Sequence, residues 1–199
     1  MSEDHTHVQE FFGARAADWD RKFPSDEPAF TRAVAEFELR PGDRVLDAGC
    51  GTGRALTALR AAVGPGGTVL GADLTPQMLA AARQAGRGAE GTLLLTDVAR
   101  LPLRDGVLDA VFAAGLIAHL PDPEANLREL ARVVRPGGRL ALFHPIGRAS
   151  LAARHGRALT QDDLRAEHNL VPLLAGAGWD MTSYADEDAR FLVLAVRQP

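Results

Sequence analysis

The chain has 199 residues, 46% of them hydrophobic and 24% charged, enough for one domain with a full core and too apolar for wholesale disorder. Its formal net charge of −4 argues against a broad grip on nucleic acid, and its single cysteine, Cys50, excludes an internal disulfide. No apolar run approaches the ~20 residues of a membrane span, and the start "MSEDHTHVQEFF" lacks a secretory pattern, so a cytoplasmic protein without a membrane partner is expected.

Residues 1–39 read as an N-terminal helical lid or cap, and 40–199 as the main domain. The first stretch is polar and then carries Phe11, Phe12, Trp19 and Phe23. Phe30, Ala33, Val34 and Phe37 then fall at helical spacing behind Pro28. After the turn "RPGD", the apolar run "RVLDAG" predicts a first strand, and residues 54–63 a helix ended by "GPGG". Residues 68–73 predict a second strand. Thr75 and Pro76 then stand at the cap and first position of a helix. Residues 91–97 and 107–115 predict the third and fourth strands. Residues 122–134 predict a helix closed by "RPGG", and 139–145 the fifth strand. Residues 161–178 look helical, with Pro172 expected to break or kink them. "WDMTSYA" and "ARFLVLAVR" predict two closing strands, antiparallel because only "DED" joins them. Apolar strands alternating with helices mean a parallel sheet covered on both faces.

In such sheets ligands bind beyond the C-terminal strand ends. Here those ends offer Asp47 with the loop "GCGTG", then Asp73, Asp97, Ala113-Ala114-Gly115 leading to His119, and His144. The glycine loop opens a helix and favours negative charge there, and a carboxylate after the second strand suits a ribose diol.

"VLDAGCGTGR", "GADLTPQML" and the long run from "LLLTDVARLPL" to "RPGGRLALF" resemble the class I S-adenosylmethionine-dependent methyltransferases, of the methyltransferase type 11 or ubiquinone/menaquinone-biosynthesis-like kind. The likeness is dense over residues 40–145. It implies a Rossmann-like, mostly parallel seven-stranded sheet of order 3-2-1-4-5-7-6 with strand 7 antiparallel. It implies S-adenosylmethionine as cofactor, with Asp47, Ala48, Gly49, Cys50, Gly51 and Gly53 around its methionine part. Asp73 would hold the ribose hydroxyls, Leu74 and Met78 would flank the adenine, and Asp97 with the Val98 N–H would meet its amino edge. Backbone at Ala113 and Ala114 would lie near the amino-acid end, and Trp19 where an aromatic covers the cofactor. The family often has Ser or Asn after strand four and a His pair where this chain has Ala118-His119. The implied activity is methyl transfer to a small acceptor by in-line displacement, in a monomer or homodimer, with His119 and His144 as candidate bases.

Blander readings stand beside these. Asp73 and Asp97 are also good helix or turn caps, His119 and His144 serve equally as packed histidines, and Cys50 reads as a small packing residue. His5-Thr-His7 reads as a terminal tail rather than a metal site, and no Cys/His/Asp spacing suggests zinc. Arg148, Arg154 and Arg157 read first as a solvated basic face and second as contacts for an anionic acceptor. A cofactor-binding protein without turnover remains the main alternative, kept open by Ala113 and Ala114. A nicotinamide-dependent oxidoreductase is disfavoured by G-x-G-x-G spacing and by a lone Tyr184 and Lys22, which cannot form a Tyr-x-x-x-Lys pair.

Overall fold

The computed structural model describes residues 3–23 and 26–199, the side chains of 3–5 excepted. The apolar strand runs form one seven-stranded sheet in the order β3-β2-β1-β4-β5-β7-β6, as the resemblance implies. These strands are β1 (Arg44–Ala48), β2 (Thr68–Asp73), β3 (Thr92–Leu95), β4 (Leu108–Ala114), β5 (Val134–His144), β6 (Trp179–Glu187) and β7 (Arg190–Arg197). β1 to β5 pair in parallel, and β7 lies antiparallel between β5 and β6. The chain leaves β1 toward β2 on one side and returns to β4 on the other. The switch point therefore lies between β1 and β4, above Asp47.

The helices are α1 (Glu3–Gly13), α2 (Trp19–Lys22), α3 (Glu27–Glu36), α4 (Leu56–Val63), α5 (Pro76–Gln84), α6 (Pro123–Val133), α7 (Arg148–Arg154) and α8 (Glu167–Gly176). Alternation along the strands feeds two cores. Val45, Phe112 and Phe143 face Phe30, Val34, Phe37, Leu56 and Leu59 of the α3–α4 side. Their neighbours Leu46, Val111 and Leu142 face Leu127 and Leu130 of α6 and Leu170 and Leu174 of α8. Phe30, Ala33, Val34 and Phe37 are all buried, so the helical spacing read behind Pro28 is the real inner face.

Three expectations change. β5 begins at Val134 rather than at residue 139, because Val134 already pairs with Leu108 before the register shifts to Ala110 opposite Arg139. The "RPGG" segment is thus an irregularity inside the strand, with Gly137 at φ +71°, rather than a plain helix stop. The helix expected over 161–178 is shortened to α8 and carries Pro172 inside it. A proline there forfeits one intrahelical bond, and burial of Leu170 and Leu174 holds the helix regardless. Thr75 does occupy the N-cap of α5, but its side chain makes no capping bond to that helix.

Trp179 begins β6, is fully buried, and donates its indole N–H to the Leu127 carbonyl at 2.9 Å, tying the last hairpin to α6. Trp179→Ala removes the largest buried side chain and that bond. Urea denaturation should show a loss of about 3–5 kcal/mol, and an unchanged midpoint would contradict this packing.

Candidate functional site

β1 delivers Asp47 into the core, where it is 1% exposed and its Oδ1 has no hydrogen-bond partner. Burial, then the neighbouring charge of Asp73, raises its pKa from 3.8 to about 8. The carboxyl is therefore largely protonated at neutral pH, a condition that a nearby cation would reverse.

The loop after β1 turns through three left-handed glycines, Gly49, Gly51 and Gly53, at φ +69°, +54° and +78°. A side chain at Gly49 would strike Leu116, and one at Gly53 would strike Leu56. At Gly51 a Cβ meets only Met78 Sδ, at 3.9 Å, so bare backbone there faces room. Cys50 N–H donates to the Ala72 carbonyl, extending the β1–β2 pairing into the loop. Cys50 is itself buried, and burial with the charges of Asp47 and Asp73 pushes its thiol well above the usual range. It is a packing residue with no nucleophilic character.

Asp73 closes β2 and is already engaged. Its Oδ2 accepts Gly51 N–H at 2.8 Å and its Oδ1 accepts Thr75 N–H at 2.7 Å. Burial raises its pKa against the pull of those bonds. The Thr75 side chain bonds the same carboxylate, so Asp73 shapes the loop and keeps only part of its acceptor capacity. Asp97 accepts Ala99 N–H at 2.8 Å, the turn-capping role weighed for it from sequence, with buried Val98 beside it. Leu74 is half-buried and Met78 buried on α5. Ala113 is buried and Ala114 half-buried at the end of β4.

On the far side of the switch point, His119 ends a short 3-10 turn (Ile117–His119) and keeps an exposed edge. Phe12 packs edge-on against it at 5.1 Å. His144 ends β5, and its Nδ1 lies 2.9 Å from the Ile146 carbonyl. The same Nδ1 also lies 3.2 Å from the Ile146 N–H, so the Ile146 backbone holds one edge of the ring. Desolvation first, then the Arg165 charge, lowers the pKa of His119. Desolvation likewise leads for His144, opposed by the Ile146 bond. Both rings are thus neutral at pH 7 and able to take a proton.

The N-terminal segment lies across these strand ends. Gln9 Nε2 donates to the Leu74 carbonyl at 2.8 Å, and Trp19 packs between Phe12 and Phe23 at 5.6 and 5.1 Å. A cavity of about 400 Å³, lined by Arg32, Pro145, Ile146, Ser150, Arg154 and Asp188, opens just past β5. A larger one, about 680 Å³, lies at the opposite, N-terminal ends of β2 and β3. Its Arg60 is engaged with the carbonyls of Gly64, Gly67 and Glu90, and Arg83 also lines it.

Arg148 is withdrawn from any basic face. It is 8% exposed, stands 3.5 Å from Asp163 and Asp186, and donates to Tyr184. Of the three arginines, only Arg154 lines the cavity past β5. His5 lies outside the described side chains. Among the described residues, no cluster of three metal-ligating side chains is found and no helix is long and apolar enough to cross a membrane. Sequence reading missed Asp20, Thr52 and Arg87, which meet beside the glycine loop. Their separation along the chain leaves no local signal.

A family model described as "Methyltransferase domain" matches residues 46–142. The chain is 38% identical over 162 residues to a nocamycin O-methyltransferase of Saccharothrix syringae, covering 75% of this chain and 58% of that one. It is 34% identical over 161 residues to the methyltransferase GfsG of Streptomyces halstedii, covering 75% and 57%. The chain thus spans little more than half the length of these curated relatives. A solved S-adenosylmethionine-dependent methyltransferase from Aquifex aeolicus superposes with a TM-score of 0.70 at 25% identity, over 84% of this chain and 89% of that one.

The Asp47 carboxyl sets a pH dependence. Because its folded pKa is raised, its contribution to stability is complete below the unfolded value and is lost as pH rises through about 8. Asp47→Asn removes that titration. Thermal melts from about pH 5 to pH 8 should show the variant gaining on the wild type as pH rises, and parallel curves would refute the assignment.

Proposed function

Because residues 46–142 place this chain among the class I S-adenosylmethionine-dependent methyltransferases, we propose that it transfers a methyl group from S-adenosylmethionine to a small-molecule acceptor. The observation that carries this reading is the buried, unpartnered Asp47 Oδ1 beside bare glycine backbone. A carboxyl in that position favours a cationic ligand, whose charge would restore its ionised form. S-adenosylmethionine, when bound, supplies an electrophilic methyl group on a cationic sulfur.

The protein's part is placement. Asp47 and the backbone of residues 48–53 hold the methionine end, and Asp73 offers its remaining acceptor capacity to the ribose. Leu74 and Met78 flank the adenine, with Asp97 and Val98 at its edge. Ala113 and Ala114 contribute main chain only. The described residues 3–23 act as a lid, with Trp19 over the site, while α3 belongs to the core of the main domain. Correct alignment of nucleophile, methyl and sulfur can supply about 7–11 kcal/mol of barrier reduction. His119 and His144, held neutral by their surroundings, are positioned at neighbouring strand ends to take a proton from a protic acceptor. The cavity past β5, lined by Arg32 and Arg154 together with Asp26 and Asp188, is the acceptor's approach. A second reading, cofactor binding without turnover, draws on the missing side chains at Ala113 and Ala114.

Calorimetry with S-adenosylhomocysteine tests the proposal. The wild type should bind, and Asp73→Ala should weaken binding at least about tenfold, since it removes the diol acceptor and frees the Gly51 N–H together. No heat with the wild type would refute the cofactor assignment. Binding with no methyl transferred across a broad acceptor screen would favour the silent reading.

A further inference from the structure

Three residues from separate parts of the chain knot the N-terminal segment to the glycine loop. Asp20 on α2 accepts Thr52 Oγ1–H on one carboxylate oxygen, at 2.7 Å, and Arg87 Nη1–H on the other, at 2.5 Å. The same Arg87 nitrogen donates to the Thr52 carbonyl at 2.9 Å. Thr52 is 2% exposed and stands between two left-handed glycines, Gly51 and Gly53. Neither glycine has a side chain with which to fix the loop. Its orientation is therefore set from outside, by Asp73 on the Gly51 N–H and by Asp20 and Arg87 on Thr52. Nearby, Asp26 meets Arg54 at 3.1 Å and Arg54 reaches the Phe23 carbonyl, so the next loop residue is gripped by the same stretch of chain.

The geometry points to Asp20 as a positioning residue that, through Thr52 and Arg87, fixes the glycine loop for its ligand and ties that loop conformation to closure of the N-terminal segment. This rests on the S-adenosylmethionine site proposed above. Asp20 and Arg87 side chains are 39% and 22% exposed, so as an ion pair they add little to stability. Their effect is geometric. One carboxylate serves the lid and the loop at once, so closing the lid orders the loop. By reciprocity, a ligand that orders the loop favours the closed lid. A bridge that merely docked α2 would change how the lid sits and leave ligand affinity alone.

Two readouts separate these outcomes. Calorimetry gives the affinity for S-adenosylhomocysteine. Limited trypsin digestion follows cleavage after Arg15, Arg21 and Lys22, with and without that compound. In the wild type the compound should slow cleavage at all three positions. Asp20→Asn and Arg87→Ala should each weaken binding about fivefold or more and abolish the protection, and the double variant should be no worse than either single one. Arg21→Ala, which breaks only the exposed Arg21–Asp18 pair, should bind as the wild type does. Faster cleavage in the two variants with unchanged affinity, or retained protection, overturns the positioning role while leaving the cofactor site standing. Failure of the wild type to bind overturns both.

Discussion

Asp47 enters the core on β1, and its Oδ1 stops there without a hydrogen bond while Asp73 stands one strand away. Two carboxyls this close and this dry repel when both are ionised, and each ionised form is costly on its own. The fold resolves the conflict unevenly. Asp73 receives two backbone N–H donors, and Asp47 receives none on Oδ1. The site is thus left with a carboxyl whose charge is missing a counterpart. Gly51 belongs to both halves of this arrangement, since its N–H satisfies Asp73 and its lack of a side chain leaves space by Met78.

From that constraint the surrounding order follows. The loop must pass over Asp47 in a shape only glycine adopts readily, and glycine gives it no rigidity of its own. Rigidity comes from neighbours instead: Ala72 through the Cys50 N–H, Asp73 through the Gly51 N–H, and Asp20 with Arg87 through Thr52. The N-terminal segment thereby becomes part of the loop's conformation. Phe12 against His119 and Gln9 on the Leu74 carbonyl extend the same cover to both sides of the switch point.

The strands and the residues at their ends were legible from sequence because each rests on local chemistry, whereas the sheet order came only with the family resemblance. Apolar runs, glycine spacing and an acid twenty positions after Gly53 are patterns within short windows. What was missed depends on contacts that no window contains. Asp20 and Arg87 are separated by 67 positions, and Arg148 is claimed by Asp186 from 38 positions away, which turns an expected surface arginine into a buried one. The start of β5 was misplaced because "RPGG" is strong turn chemistry, overridden here when Val134 pairs with Leu108 before the glycines loop out of register. Pro172 does not end α8, since burial of the leucines beside it outweighs one lost helical bond.

The two halves of the site are also electrically complementary. On the β1–β2 side, acids held above their usual pKa favour a ligand that arrives with positive charge. On the β4–β5 side, desolvation and the Arg165 charge keep His119 and His144 below theirs, so neither adds a cation that would repel it. A histidine in that state is a base, and protonating it next to an already cationic ligand would be resisted until that ligand's charge is discharged. Under the proposed function, loss of the sulfonium charge would ease protonation of a histidine at these strand ends. This ordering of charge needs no nucleophilic side chain, consistent with a buried Cys50 whose thiol is pushed away from ionisation. It makes the position of the histidines relative to the glycine loop the geometric quantity on which turnover would depend.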